Sequence, residues 1–298
     1  MPDVYYVNGR FTEPENAVVS VEDRGFLFGD GVYEVLRAYG QHIFRIDEHL
    51  ERLSGSLNAI NISYSDIPEL KSLCFEALNR SGYSDALIYI QITRGVAKRS
   101  HVPPKGMQPT IVIIVYKTPI LPEQLFRKGA KAILYPDIRW AKCYIKTLQL
   151  LPNTMALSQA NAESAIEAIM HKKGIVTECC SSNVFIVKNN RVKTHPADET
   201  ILHGVSRKTV LEILQHQGVT VLEQEFTTEE LLQSDEVFIT NTLVEVMPIT
   251  KIDDTTVADG NPGQLTLMLM EEFKRQTNQQ DVLFGRSVPS IEPSPLFG

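Results

Sequence analysis

Short β-prone runs fall into two groups along this chain, each interleaved with helix-patterned stretches, and that grouping restricts the fold more than any other feature. In the first group, "VYYVNGRF" (4–11) carries an Asn8-Gly9 turn signal and "VYEVLRAYG" (32–40) follows it. "DEHLERLSGSLNAI" (47–60) reads as a helix capped by Asp47, with Leu50, Leu53, Leu57 and Ile60 at helical spacing. Two strand-like runs, "ALIYIQITRG" and "TIVIIVYK", flank the polar, Pro-bearing loop "VAKRSHVPPKGMQP" (96–109). "KTPILPEQL" (117–125) reads as a linker because prolines interrupt it twice.

The second group opens with "AKAILYP" and "IRWAKCYIK", both strand-like, and then "LPNTMALSQANAES" as a helix with Pro152 in its first turn. "AIEAIMHKK", "GIVTECC" and "SNVFIVKNNRV" read as strands, the last with an Asn-Asn turn. "GVSRKTVLEILQHQG" is a helix between Gly204 and Gly218, "VTVLEQEF" and "EVFITNTLVEVMPI" return to strands, and "GQLTLMLMEEFKRQT" closes as a helix. The expected fold is α+β in two lobes: a smaller N-terminal α/β domain over 1–118, a linker over 119–125, a larger C-terminal domain over 126–278, and an aperiodic tail over 279–298.

The 298 residues, 43% hydrophobic, suffice for two cores. A net charge of -7, from 29 basic and 36 acidic residues, supplies no basic face for nucleic acid. No apolar run is long enough to span a membrane, and "MPDVYYVNGRF" lacks the pattern of a signal peptide, so a soluble, cytoplasmic protein is expected. Cys74, Cys143, Cys179 and Cys180 have no metal-ligand spacing and read as reduced thiols; the 7 histidines form no metal motif, so no metal is expected.

Within "YIKTLQLL" (144–151), Lys146 sits in largely apolar company. A lysine placed so either snorkels to water or gives up its proton and becomes a nucleophile. Gly204-Val205-Ser206 opens a helix whose first amides could hold an anion; alone, Ser206 reads as a first-turn residue of a surface helix. Asn241-Thr242 is a second possible donor pair, and Arg52 a possible bidentate anion ligand, though each is weak singly. "FGDGVYE" lacks the third glycine of a dinucleotide loop, and neither a nucleophile elbow nor a Walker loop occurs. Glu178, at the end of a β-prone run, reads by itself as a solvated strand-end charge.

Seven ordered blocks change that balance: "EDRGFLFGDGVYEVLRAY", "DEHLERL", "YIQITRGVAKRSH", "DIRWAKCYIKTLQLL", "VTECCSSNVF", "HPADETILHGVSR" and "EVFITNTLVEVMPI". Together they resemble the fold type IV pyridoxal phosphate enzymes, the class IV aminotransferases, and within them the D-amino acid (D-alanine) branch, over about residues 1 to 275. The resemblance implies pyridoxal 5'-phosphate as cofactor, held in the C-terminal domain. Lys146 would attach it covalently, Glu178 would partner the pyridine nitrogen, and Leu202 would pack on the ring. Arg52, Val205, Ser206 and Thr242 would hold its phosphate, with Asn241 nearby.

The implied reaction moves the amino group of D-alanine and similar D-amino acids to 2-oxoglutarate in a ping-pong cycle. Tyr33, Arg99 and His101 match the residues that bind the substrate carboxylate. Since the loop bearing Arg99 and His101 comes from the neighbouring subunit in that branch, the resemblance also implies a homodimer. A branched-chain L-amino acid transaminase, an aminodeoxychorismate lyase-like enzyme and a non-enzymatic pyridoxal phosphate-binding protein are the alternatives. Two departures stand out: Cys179-Cys180 occupies a place where Gly-Ser is common, and Asn241 one where a hydroxyl residue is common.

Overall fold

The computed structural model of the chain describes residues 3–282. Strands β1 (Val4–Val7) and β2 (Arg10–Thr12) form the expected hairpin, and Asn8 and Gly9 both take positive φ, 45° and 92°. There follow α1 (Arg24–Phe28), β3 (Gly31–Tyr39), β4 (His42–Ile43), α2 (Ile46–Ala59), α3 (Ile67–Ser81), β5 (Asp85–Thr93) and β6 (Thr110–Lys117). Beyond α4 (Glu123–Arg127) come β7 (Ala130–Pro136), α5 (Leu151–Ala162), β8 (Glu167–Lys172), β9 (Ile175–Cys179), β10 (Asn183–Lys188) and β11 (Arg191–Thr194). The remaining elements are α6 (Val205–His216), β12 (Val221–Glu223), α7 (Thr228–Leu232), β13 (Glu236–Asn241), β14 (Glu245–Ile252), β15 (Thr255–Thr256) and α8 (Gln264–Val282).

The strands form two sheets. The first has six, in the order β2-β1-β6-β5-β3-β4, with every neighbouring pair antiparallel. The second has nine, in the order β12-β11-β10-β13-β14-β7-β8-β9, with β15 on β14; its β14/β7, β7/β8 and β11/β12 pairs are parallel. The class is α+β, as expected.

Alternation along β3 decides what each of its residues can do, since successive side chains face opposite sides of a sheet. Val32, Glu34, Leu36 and Ala38 point into the core shared with Leu50, Leu53 and Leu57 of α2 and Leu70, Cys74 and Leu78 of α3. Tyr33 and Val35 point the other way, towards the large cavity described below. The second sheet is covered on both faces. Val237 and Ile239 of β13 join one cluster, whereas Phe238 stacks on Phe185 at 4.8 Å in another with Leu269 and Phe273 of α8.

Some local expectations are revised. "IRWAKCYIK" is not a strand: after β7 the chain runs irregularly to Leu150, its backbone bonds going to separate partners such as Glu199 and Tyr33 rather than to one strand. α2 starts with Arg45 as its N-cap, so Asp47 lies in the first turn, where its charge still favours the helix dipole. "VTVLEQEF" contributes only β12, and "EVFITNTLVEVMPI" folds into two strands. α1 and α3 were not foreseen. α8 runs through 279–282, the start of the expected tail, and 283–298 lies outside the described residues.

Candidate active site

Lys146 is held by its backbone. Tyr33 N donates to Lys146 O at 3.0 Å, Leu148 N to Gly31 O at 3.1 Å, and Lys146 N to Ser56 Oγ at 3.2 Å, so the irregular segment is stitched to the start of β3 and to α2. Its side chain enters a cavity of about 940 Å³ walled by both sheets. Among the described residues Lys146 forms no ion pair; Nζ lies over the Tyr33 ring, 4.4 Å from its centroid. An amine with no carboxylate attached is free to take part in bond formation.

Glu178 borders the same cavity from β9 and is 4% exposed. Its Oε1 accepts from Arg139 Nη1 and, at 3.0 Å, from Leu202 N; its Oε2 accepts from Asn183 Nδ2 at 3.0 Å. Burial pushes the carboxyl up to about 6, and Arg139 holds back a larger rise. Asn183 Nδ2 also donates to Leu202 O at 2.9 Å, so one amide aligns the carboxylate with the segment bearing Leu202. A Cβ on Gly204 would lie 2.1 Å from Asn183 Oδ1, which leaves glycine as the residue that fits there.

At another part of the cavity wall stand Arg52, Val205, Ser206 and Thr242. Arg52 is anchored from behind: Nε and Nη2 donate to Glu34 at 2.7 and 2.8 Å, and Nη1 to His203 O at 3.0 Å. Three of its five N–H groups are thus engaged, leaving two for a ligand. Glu34, 0% exposed, also accepts from His49 Nδ1 at 2.8 Å. Burial would raise the Glu34 carboxyl, yet Arg52 and His49 hold it below the ordinary carboxylate range; burial in turn lowers His49, against the raising effect of Glu34. α6 begins at Val205 with no side chain capping it, so its first amides are directed outward.

Asn241 borders the cavity but its side chain is occupied. Oδ1 accepts from Leu243 N and Val244 N, each at 2.8 Å, and Nδ2 donates to Ser182 Oγ at 2.9 Å. The residue therefore shapes the turn that follows β13. Thr242 Oγ1 donates to Val35 O at 3.3 Å, bridging that turn to β3.

Arg99 and His101 do not border the cavity of their own chain. They pack on Phe28, which does: the Arg99 guanidinium lies 5.3 Å and the His101 ring 5.8 Å from the Phe28 centroid. Arg24 fixes their backbone, donating to Ser100 O at 2.6 Å and His101 O at 3.3 Å. Cys179 and Cys180 border the cavity yet are 1% and 6% exposed. Cys180 donates its thiol to Glu167, which also accepts the hydroxyls of Ser181 at 2.6 Å and Ser182 at 2.8 Å. Burial raises both thiols, which disfavours the thiolate form that oxidation requires.

Sequence reasoning missed Arg139, Asp137, Glu34, His49 and Asn183. Of these Glu34 left a signal, because the period of β3 puts a lone carboxylate among Val32, Leu36 and Ala38. Arg139 and Asp137 lay inside a quoted block but showed no pattern of their own.

The donors could suit one cofactor among others: an amine without an ion pair among the described residues could take an aldehyde, a buried carboxylate a ring nitrogen, and a partly used guanidinium beside a helix start a phosphate. The family model for class IV amino-transferases matches residues 31–252. The D-alanine aminotransferase of Bacillus licheniformis is 44% identical over 262 residues, 87% of this chain and 92% of that protein. That of Staphylococcus epidermidis is 39% identical over 93% of this chain and 99% of its own. Among solved structures, a T.th. branched-chain amino acid aminotransferase with pyridoxamine 5'-phosphate superposes with a TM-score of 0.84 at 27% identity, covering 93% of this chain and 94% of that one. The Escherichia coli branched-chain enzyme gives 0.83 at 25% identity, covering 91% and 93%. With a family model matched over most of its length and relatives matched along it, this chain belongs to the class IV aminotransferases, a family of pyridoxal phosphate-dependent enzymes.

Proposed function

We propose that this enzyme is a D-amino acid transaminase, passing the amino group of D-alanine and similar D-amino acids to 2-oxoglutarate. The observation that carries the chemistry is Lys146, an amine without an ion pair among the described residues, in a cavity shared with the buried carboxylate of Glu178. The D-alanine aminotransferases at 44% and 39% identity favour D-amino acids. The branched-chain enzymes share the fold but at 25–27% identity, which leaves the L-amino acid reading weaker.

In this reading Lys146 holds the cofactor, Glu178 keeps its ring nitrogen protonated, and Leu202 lies against the ring. Arg52 supplies its two remaining N–H groups to the phosphate, together with the amides of Val205 and Ser206 and the region of Thr242, while Asn241 shapes the turn. When bound, the cofactor supplies an electron sink for the pair left as the substrate Cα–H bond breaks. Lys146 Nζ takes that proton on one face and returns it, as base and then acid.

Tyr33, Arg99 and His101 would clamp the substrate carboxylate, which fixes which enantiomer turns its Cα hydrogen towards Lys146. The active form in this reading is a homodimer in which Arg99 and His101 reach the partner's cavity. Support comes from their place outside the cavity of their own chain and from apolar Phe26, Leu151, Leu157 and Trp140 left exposed at its border. The division at 1–118, 119–125 and 126–278 belongs to the same proposal; the gap between β6 and β7, crossed by α4, supports it. Four reduced thiols suit a cytoplasmic setting, and no helix of the described residues is long and apolar enough to cross a membrane.

Chiral analysis of the amino acids consumed and formed by the purified enzyme tests the proposal. Turnover of D-alanine with 2-oxoglutarate is expected; activity confined to L-amino acids would overturn it.

A further inference from the structure

Two buried carboxylates share one guanidinium at the cavity wall. Arg139 gives Nε to Asp137 Oδ1 at 3.0 Å and Nη2 to Asp137 Oδ2 at 2.8 Å, a two-point pair, and reaches Glu178 with Nη1 alone. The Asp137 side chain is 0% exposed and the Arg139 side chain 8%. Asp137 also accepts from Arg139 N at 3.1 Å and from Thr177 Oγ1 at 2.8 Å. Thr177 precedes Glu178 on β9, so strand alternation turns one residue to Asp137 and the next to the cavity.

The charge count has a chemical consequence. Arg139 and Asp137 together are neutral, which leaves the Glu178 carboxylate with neutral donors and one already shared cation. Such a carboxylate keeps an unmet preference for a cation on its cavity side. With Asp137 neutral, Arg139 and Glu178 would close into a pair of their own and that preference would go. We propose that Asp137 is a positioning residue that, by engaging Arg139 at two points, keeps Glu178 available to a protonated ring nitrogen. The proposal rests on the reading of Glu178 as the partner of that nitrogen.

The raised Glu178 carboxyl agrees with this arrangement, for Asp137 acts on it in the raising direction against Arg139. Other titratable or charged groups that act with Glu178 include Arg52 of α2 and the thiols of Cys143 and Cys179, and Lys146 borders the same cavity. Burial raises both thiols, Cys143 to about 11, so they stay neutral while Glu178 titrates.

The test uses the apoprotein with carboxyl-labelled glutamate, the Glu178 signal being assigned by its loss in Glu178→Gln. Asp137→Asn is expected to lower the Glu178 midpoint by about one pH unit or more, because Arg139 then acts on it undivided. Arg139→Gln is expected to raise it. Opposite signs are the signature, since a purely structural role for Asp137, tying the end of β7 to β9, would lower thermal stability and leave the midpoint in place. Asp137→Ser, which keeps an acceptor but no charge, is read in the same way if Asp137→Asn does not fold. An unchanged or raised midpoint in the Asp137 variants overturns the proposal. The reading of Glu178 itself is tested apart: with ring-labelled cofactor bound, Glu178→Gln should release the nitrogen's proton, and a retained proton would overturn that reading alone.

Discussion

Lys146 and Tyr33 are joined twice: Tyr33 N donates to Lys146 O at 3.0 Å, and Lys146 Nζ stands 4.4 Å from the Tyr33 ring centroid. The backbone bond aims the lysine, and Nζ rests over the ring with no carboxylate paired to it among the described residues. Because the aim comes from the backbone, Lys146→Ala should fold normally, with stability within about 1 kcal/mol of the parent. Turnover should fall by roughly 10⁴-fold or more. Borohydride reduction followed by mass spectrometry should find no cofactor attached; attachment elsewhere would move the role to another lysine, Lys142 first.

Arg99 and His101 predict complementation between two inactive proteins. Lys146→Ala and an Arg99→Ala/His101→Ala double variant should each be nearly inactive. Mixed in equal amounts and allowed to exchange subunits, half of the dimers would be hybrids with one intact site of two, restoring about a quarter of parental activity. No recovery after demonstrated exchange would mean that the loop serves its own chain.

Glu34 is the anchor of Arg52, and its removal should act on both stability and cofactor retention. Glu34→Gln leaves Arg52 without its buried counter-charge, a change that costs about 3–5 kcal/mol in comparable sites. The guanidinium, no longer fixed by two bonds, should also hold phosphate less well. Thermal unfolding and cofactor dissociation, measured on one preparation, check both effects; a stability loss with unchanged cofactor affinity would confine Glu34 to the core.

The raised Glu178 carboxyl makes a pH prediction for the apoprotein. A carboxyl whose pKa moves from 4.5 unfolded to about 6 folded binds more proton in the native state between those values. Native stability therefore falls as pH rises through that window, and the loss stays constant above it. Relative to Glu178→Gln, the parent should lose about 2 kcal/mol in all as pH rises from well below 4.5 to well above 6, most of it inside that window. Denaturant unfolding of the two proteins across that range checks it, and a parallel pH dependence would show that the carboxyl titrates normally.

Much of the molecule is legible before folding is considered. The period of two in "VYEVLRAYG" yields β3 and separates Tyr33 from Glu34, and the leucine spacing of 50, 53 and 57 yields α2. The Asn-Gly and Asn-Asn pairs yield turns because those residues tolerate positive φ. "IRWAKCYIK" misled for a related reason: its alternation is strand-like, but a strand requires a continuous partner, and its amides and carbonyls are taken by several elements.

The sequence by itself determined most of the strands and longer helices, and through its ordered blocks it marked Lys146, Glu178 and Arg52, since periodicity, turn preference and side-chain chemistry act over a few residues. Only the tertiary structure decided how those charges are shared: Glu34 with His49 and Arg52, Arg139 between Asp137 and Glu178, Asn241 with Ser182. These pairings join different strands, helices and loops, and the reactivity of each group depends on burial and on its neighbour's charge, which exist only once the sheets and helices have packed.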